Sequence, residues 1–375
     1  MTDVVFYGTL RHPPLLERVL GRAPTGLLPA RIPDHAVHWV ADQPFPMIRT
    51  APGTAAEALL LRGATDEDVA RLDFYEGGFA YDLREVEVEV ETHGAATRAV
   101  VYMPREGHWT PGPSWALDEW LHDWGAITMD AAAEVMDRYG RQPVEQVQAL
   151  LPMFRARAWS RRLAQAGAPS TLRRAPGEGD LDLRLRDDGY DGFMRLRRFD
   201  LRHRTFDGNW SETLTRETLV SFDVALVLPY DPATDTVLLV EQVRYGPLMR
   251  GDPAPWVLEP VAGFVDAGEL PEVAARRETR EEAGLDLAEL IPMVRTYSSP
   301  GYSTEFFHFF LGLCDLKGRD RALGGLVEEN EDIRSHVIPF DDAMALMDSG
   351  EVNAAPLAMM LLWLARHREG LRASA

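Results

Sequence analysis

"GFVDAGELPEVAARRETREEAGL", residues 263–285, sets Glu278, Glu281 and Glu282 into one short run between a proline and a glycine. Pro271 suits the first turn of a helix and Gly284 suits its C-terminal stop. Glu278 and Glu282 are four apart and stack on one helical face; Glu281, three from Glu278, flanks it. Like charges at this spacing cost an isolated helix roughly a few tenths of a kcal/mol per pair. A solvated, salt-bridged face is the plainer explanation, and Arg276, Arg277, Arg280 and Arg295 are near enough in sequence to supply it. The functional explanation is a set of hard divalent cations between the carboxylates. Mg2+ prefers oxygen ligands and usually keeps waters and phosphate oxygens around it.

Around this run lie 375 residues, long for one core and comfortable for two domains. Hydrophobic residues make up 46% and are dispersed, which reads as globular. "PLAMMLLWLA", residues 356–365, is too short for a membrane span and reads as a buried helix. "MTDVVFYGTL" has no basic stretch before an apolar one, so no secretory signal is expected. Cys314 is the single cysteine, which excludes an internal disulfide or a cysteine metal site and fits a reducing cytoplasm. The net charge of −20 repels nucleic acid and anionic lipid, so neither is an expected partner. An anionic substrate would need metal ions or local arginines.

Residues 1–110 alternate short strand-like runs with Pro and Gly turns; "REVEVEVET", residues 84–92, has strict period two and predicts a half-buried strand. Residues 113–166 read as helices with stops at Gly125 and Gly140 and a break near Pro152. "APSTLRRAPGEGD", residues 168–180, reads as a linker. Strands return from 181, then a helix over 270–283, a strand at "EFFHFFLGLC" and two closing helices. The expected division is 1–110, a helical connector and linker over 111–180, and 181–375, in a mixed α+β and α/β chain.

From Gly263, five residues lead to Glu269, seven more to Arg277–Glu278, two to Glu281–Glu282, one to Gly284 and then Leu285. This long pattern resembles the Nudix box, with one departure: Thr279 stands where the family prefers an aliphatic residue. The resemblance implies an α/β/α sandwich that hydrolyses a nucleoside diphosphate linked to another group, with divalent metal. It makes Glu278, Glu281, Glu282 and the carbonyl of Ala262 metal ligands, and pairs Glu269 with Arg277 to brace the loop against the helix. Gly263 permits a bend that a side chain would obstruct.

The flanks carry more. "VLLVEQVRYG" ends near Arg244, "WVLEPVAGFVDAGE" leads into the box, and "SSPGYSTE" and "LGGLVEENEDI" follow it. Together, from about Gly192 to Arg368, they resemble the bacterial ADP-ribose pyrophosphatase branch of the Nudix family, and within it the tellurite-resistance proteins. That resemblance implies hydrolysis of ADP-ribose to AMP and ribose 5-phosphate with Mg2+, or Mn2+ in its place. Glu329 becomes the general base and Glu331 a further metal ligand, with the choice of base among Glu328, Glu329 and Glu331 left open. Water attacking phosphorus needs a proton acceptor within hydrogen-bond reach. Phe193 matches the aromatic that stacks on adenine, although a Phe at a strand start is often core. Arg244 suits a bidentate grip on a pyrophosphate. Arg216 matches an arginine that reaches the diphosphate from the partner subunit, which implies a homodimer with exchanged strands; Glu259 and Glu305 match positions near ribose or phosphates. The rival readings are another nucleoside diphosphate sugar as substrate, a non-catalytic nucleotide sensor, and chemistry in the first half.

That first half holds "VVFYGTLRHPPL" with Tyr7, Gly8, Thr9 and Leu10 in a turn, then "FPMIR" and "LDFYEGGFAYDLREVEVEV". These resemble the γ-glutamylcyclotransferase-like (AIG2-like) fold, a small β-barrel with short helices. The resemblance implies that the turn's N–H groups bind a substrate carboxylate and that Glu76 moves a proton while an α-amine attacks a side-chain carbonyl. The alternative is a fold kept as a binding or dimer-arranging module. The helices of 113–166 are expected to be a spacer that packs the two domains together.

Overall fold

The first unit is built on strands β1 (Thr2–Phe6), β2 (Leu27–Val40), β3 (Pro46–Ala64), β4 (Tyr81–Val90), β5 (Ala96–Pro104) and β6 (Pro111–Ser114), with helices α1 (Pro13–Leu20) and α2 (Asp66–Glu76) between them. These coordinates are a computed structural model, and they describe every residue except 92–95, 169, 175–176, 187–188, 327–330 and 374–375. The strand order is β3-β1-β5-β4-β2, and β2 pairs again with β3 to close a five-stranded barrel; β6 adds to β2. Strand β4 shows why: Val88 and Val90 are buried while Glu85, Glu87 and Glu89 face solvent. The alternation lets one strand face core and water at once. Helix α2 is fixed at its start by a capping box, with Asp68 N–H donating to Thr65 Oγ1 at 3.1 Å and Thr65 N–H to Asp68 Oδ2 at 2.9 Å.

Next come α3 (Leu117–Trp120), α4 (Ala126–Met136), α5 (Val144–Ala149) and α6 (Leu151–Ala164). Two expectations are corrected here. Gly125 does not end a helix: its φ of −54° and ψ of −50° are helical, and a widened turn over Leu121–Gly125 runs straight into α4. A glycine terminates a helix only when it takes the left-handed conformation, as Gly140 does at φ 70°. Nor are these helices a spacer. Trp120, Ala131, Val135, Val147 and Phe154 are buried in one cluster with Val4, Leu15, Leu16 and Leu72 of the barrel and its first helices. Burying each large side chain contributes roughly 2–3 kcal/mol, so they are part of that core. Pro152 sits in the first turn of α6, where its missing N–H leaves nothing unsatisfied. By compactness the chain divides into Met1–Arg162 and Leu163–Ala375.

The second unit opens with a small antiparallel sheet of β7 (Leu181–Leu185), β8 (Tyr190–Asp191), β9 (Arg195–His203) and β10 (Leu214–Val220), in the order β10-β9-β7 with β8 on β9. The main sheet comprises β11 (Asp223–Asp231), β12 (Thr236–Val243), β13 (Trp256–Glu259), β14 (Val261–Phe264), β15 (Glu289–Tyr297), β16 (Phe306–Leu313), β17 (Leu323–Gly324) and β18 (Ile333–Pro339). Its path is β15-β16-β11-β12-β18-β17, with β14 on β11, β13 on β12, and β11 parallel to β16. Helices α7 (Tyr245–Arg250), α8 (Pro271–Ala283), α9 (Phe340–Ser349) and α10 (Ala355–Ala373) complete it. All of β11 is buried, which makes it the central strand. Val224, Leu226, Leu228 and Tyr230 cluster with Phe340, Leu357, Met360, Leu361 and Leu364 of α9 and α10. Helix α8 packs against β11 and β14. The result is the expected sandwich of helix, sheet and helix. Among the described residues no helix is long and apolar enough to cross a membrane.

Candidate active site

Helix α8 begins at Pro271 and is closed by Gly284, left-handed at φ 62°, whose N–H donates to the Arg280 carbonyl at 3.0 Å. Its buried side is small, with Ala274, Ala275, Thr279 and Ala283, so the helix lies close on the sheet. That proximity delivers the acids. Glu282 is 1% exposed and its Oε2 accepts the Ala262 N–H of β14 at 3.0 Å. Burial pushes its pKa well above the ordinary carboxylate value; the Ala262 hydrogen bond opposes this, and the charges of Glu278 and Glu331 add to it. Gly263 explains itself: a Cβ there would overlap the Glu278 carboxylate, so the missing side chain is the hollow that Glu278 fills.

Arg277 organises the rest. Its Nε and Nη2 bond both oxygens of Glu269, at 3.2 and 3.0 Å, while Nη2 also reaches the Phe264 carbonyl at 3.0 Å. Its Nη1 lies 2.6 Å from Glu278 and 3.0 Å from Glu281. Burial works against this cation, but Glu269 and Glu278 hold its pKa above the ordinary value. Arg276 and Arg280 turn away, to the Leu287 carbonyl at 2.9 Å and to Asp286 at 2.6 Å. The face is therefore not a solvated ladder of alternating charge. Among the described residues no three His, Cys, Asp or Glu side chains converge as a ready cation cage; the positive charge among these acids is that of Arg277. The donor set nonetheless fits a divalent ion of the hard class: every candidate is an oxygen, from a carboxylate or from the Ala262 carbonyl, the Glu282 carboxylate is buried, and Glu331 lies within electrostatic reach of it. Ala262, whose carbonyl is a further donor expected from the sequence, is tied to this helix by its N–H bond to Glu282.

The Gly-led loop, which follows β17, is anchored to the same helix. The Gly325 N–H donates to the Glu281 carbonyl at 3.1 Å, and Glu331 accepts the Leu326 N–H at 3.1 Å. Glu328 and Glu329 lie outside the described residues. Arg244, at the end of β12, is bonded through Nε to Glu259 at 2.6 Å and its charge is felt by Glu282. Burial raises the pKa of Glu259, and Arg244 opposes the rise. Phe193 stands just before β9 with 48% of its surface exposed, cornered against Phe222 at 6.0 Å and Phe264 at 6.2 Å between ring centres. Phe222 and Phe264 were not singled out from sequence; both sit at ends of buried strands, where an aromatic reads as core. Arg216 is exposed on β10 and donates to the Thr215 carbonyl at 2.8 Å, and Glu305 enters only through its backbone bonds to Ser298 and Ser303. No described contact joins either of them to the box.

In the first unit, Tyr7, Gly8, Thr9, Leu10 and Glu76 line one pocket with Phe45, Pro46, Phe79, Tyr81 and Tyr102. Gly8 is small because the Pro46 ring lies against it. Tyr81 donates to the Pro46 carbonyl at 2.7 Å, which ties β4 to the "FPMIR" stretch. Burial pushes the Glu76 carboxyl up to about 8.

Comparison with known proteins places both halves. The family described as "NUDIX domain" matches residues 221–358, and "Gamma-glutamyl cyclotransferase, AIG2-like" matches residues 4–122. An ADP-ribose pyrophosphatase of Haemophilus influenzae is 39% identical over 177 residues, 47% of this chain and 81% of that protein. One of Escherichia coli strain K12 is 35% identical over 204 residues, 54% of this chain and 97% of that protein. A GDP-mannose pyrophosphatase of Salmonella arizonae is 35% identical over 140 residues, 37% of this chain and 72% of that protein. A solved structure described as an ADP compounds hydrolase aligns with 52% of this chain and 98% of its own at a TM-score of 0.40 and 17% identity. Nudix hydrolases use divalent metal ions, which agrees with the all-oxygen donor set on α8. The chain is a member of the Nudix family of hydrolases, its box carried on the second unit and an AIG2-like unit preceding it in sequence.

Proposed function

We propose that the second unit hydrolyses ADP-ribose to AMP and ribose 5-phosphate with Mg2+, Mn2+ serving in its place. The observation that carries this reading is the seat of Glu278 in the hollow of Gly263, beside the buried Glu282 and the Arg244–Glu259 pair. Glu278, Glu281, Glu282 and Glu331 would hold the metal, which supplies charge neutralisation of the diphosphate and a polarised water. Arg277 draws Glu278 and Glu281 together. Arg244 has the chemistry to take a phosphate oxygen once it parts from Glu259, and the Phe193–Phe222–Phe264 corner offers a half-open aromatic wall for adenine. Glu329 serves as base. The relatives named for ADP-ribose cover more of this chain than the one named for GDP-mannose, which favours the first substrate. Incubating the full-length protein with ADP-ribose and with GDP-mannose, with Mg2+, Mn2+ or EDTA, and resolving the nucleoside monophosphates by chromatography tests it. AMP release that EDTA abolishes is expected, and turnover of GDP-mannose alone overturns the substrate.

The same reading includes a homodimer in the cytoplasm. Leu185, Phe199 and Arg216 stand opposite one another across β7, β9 and β10, as do Leu183, Leu201 and Leu214, so each row shares one sheet face. Leu181, Leu183 and Leu185 are 64%, 56% and 66% exposed. An apolar sheet face that also carries Arg216 suits a second copy, which would receive that arginine.

A second reading concerns the first unit: the turn Tyr7–Leu10 and Glu76 bind a γ-glutamyl compound and release 5-oxoproline. The enclosed Glu76, protonated below about pH 8, favours it because a proton carrier of that pKa suits the transfer. Release of 5-oxoproline that Glu76→Gln abolishes is the expected result; none from any γ-glutamyl substrate retires the reading.

A further inference from the structure

Helix α6 brings an arginine against Phe45, one of the residues that line the first unit's pocket. Arg155 lies beyond residues 4–122, the part matched as AIG2-like. Its guanidinium carbon stands 5.9 Å from the centre of the Phe45 ring, and Phe45 lines the pocket with Glu76 and the Tyr7–Leu10 turn. Its charge also reaches Tyr75, the residue before Glu76. Among the described residues no carboxylate, carbonyl or hydroxyl hydrogen-bonds to Arg155, whereas its helix neighbours Arg157 and Arg161 pair with Glu134 at 2.8 Å and Asp130 at 3.4 Å. In a chain with 59 acidic against 39 basic residues, acids are plentiful, yet none is supplied here. Arg155 is half-buried, and a guanidinium so placed without a counterion loses hydration that an aromatic face offsets only in part. Burial accordingly lowers its pKa. A carboxylate brought by a ligand would remove that cost, and the planar fork is shaped to receive one.

We propose that Arg155 is a specificity-determining residue of this pocket: it receives a second carboxylate on a ligand whose first is held at the Tyr7–Leu10 turn. The ligand class is a γ-glutamyl group joined to an amino acid with a free carboxylate, rather than to a neutral or cationic amine. This rests on the second reading above. The test is isothermal titration of the full-length protein with γ-glutamylalanine and with its C-terminal amide. The acid is expected to bind at least tenfold tighter than the amide. Arg155→Gln should erase most of that difference while leaving the affinity for the amide within about twofold, and Arg155→Lys should retain part of it. Should Arg155→Gln not fold, the acid-against-amide comparison in the parent and in Arg155→Lys still decides. Equal binding of both probes by the parent overturns the role of Arg155 and leaves the γ-glutamyl reading standing. Binding of neither removes that reading and the role of Arg155 with it.

Discussion

At the scale of single residues, Gly263 and Glu282 show how little freedom the site has. The Glu278 carboxylate occupies the volume a Cβ at Gly263 would take. Gly263→Ala should therefore displace Glu278 and lower ADP-ribose turnover by about tenfold or more while the circular dichroism spectrum stays that of the parent. Unchanged turnover would show that the hollow is incidental. Glu282→Gln keeps the shape and the acceptor for the Ala262 N–H but removes a charge. Its kcat should fall by about two orders of magnitude or more, with folding intact. A kcat within twofold of the parent sinks the metal-ligand role. In the first unit, the folded pKa of Glu76, about 8, stands above the ordinary carboxylate value of 4.5. The folded chain therefore keeps a proton that the unfolded chain releases between those two values. Stability falls as pH rises through that window and levels off above it, by at most a few kcal/mol, roughly. Urea midpoints at pH 5 and pH 8 should drop more in the parent than in Glu76→Gln; equal drops would contradict the buried, protonated state.

At the scale of elements, α8 is the one whose sequence departs from its family and whose structure says why the departure is tolerated. Thr279 is fully buried, and its Oγ1 bonds back to the Ala275 carbonyl at 2.7 Å. The hydroxyl is satisfied within the helix, while its methyl packs like an aliphatic residue. Thr279→Val should leave stability unchanged or raise it by about 0.5–1 kcal/mol, because the back-bond competes slightly with the helical ladder. Thermal and urea unfolding measure this, and a loss of more than about 1 kcal/mol would mean that the hydroxyl serves another partner. The start and stop of α8 were readable from Pro271 and Gly284, since a ring that fixes φ and a residue that tolerates positive φ act locally. Gly125 misled because the same residue type is compatible with a helix that continues.

At the scale of the whole molecule, the apolar face of the β7–β10 sheet predicts assembly. Leu183→Asp places a charge on that face without entering a core, since Leu183 is 56% exposed. Light scattering should show a dimer for the parent and a monomer for the variant, and ADP-ribose turnover should fall with it if Arg216 acts across subunits. A parent that is monomeric at micromolar concentration refutes the exchange. The helices α3–α6 belong to the same scale. Their sequence carries the period of amphipathic helices but no record of which surface receives them, and Trp120 and Phe154 find theirs on α1, α2 and the barrel.

The strand-rich stretches on either side of the helical segment, the bounds of α8, the spacing of Glu278, Glu281 and Glu282, and the turn at Tyr7–Leu10 with Glu76 follow from sequence alone, because periodicity, capping and motif spacing are properties of neighbours along the chain; α1, α2 and α7 were not placed from it. Tertiary structure alone decided that Glu282 is buried against Ala262, that Arg277 bridges Glu269 to Glu278 and Glu281, that Phe222 and Phe264 corner Phe193, and that α6 carries Arg155 to Phe45. Each of those depends on which faces meet, and burial, charge and close approach arise only when distant segments share one core.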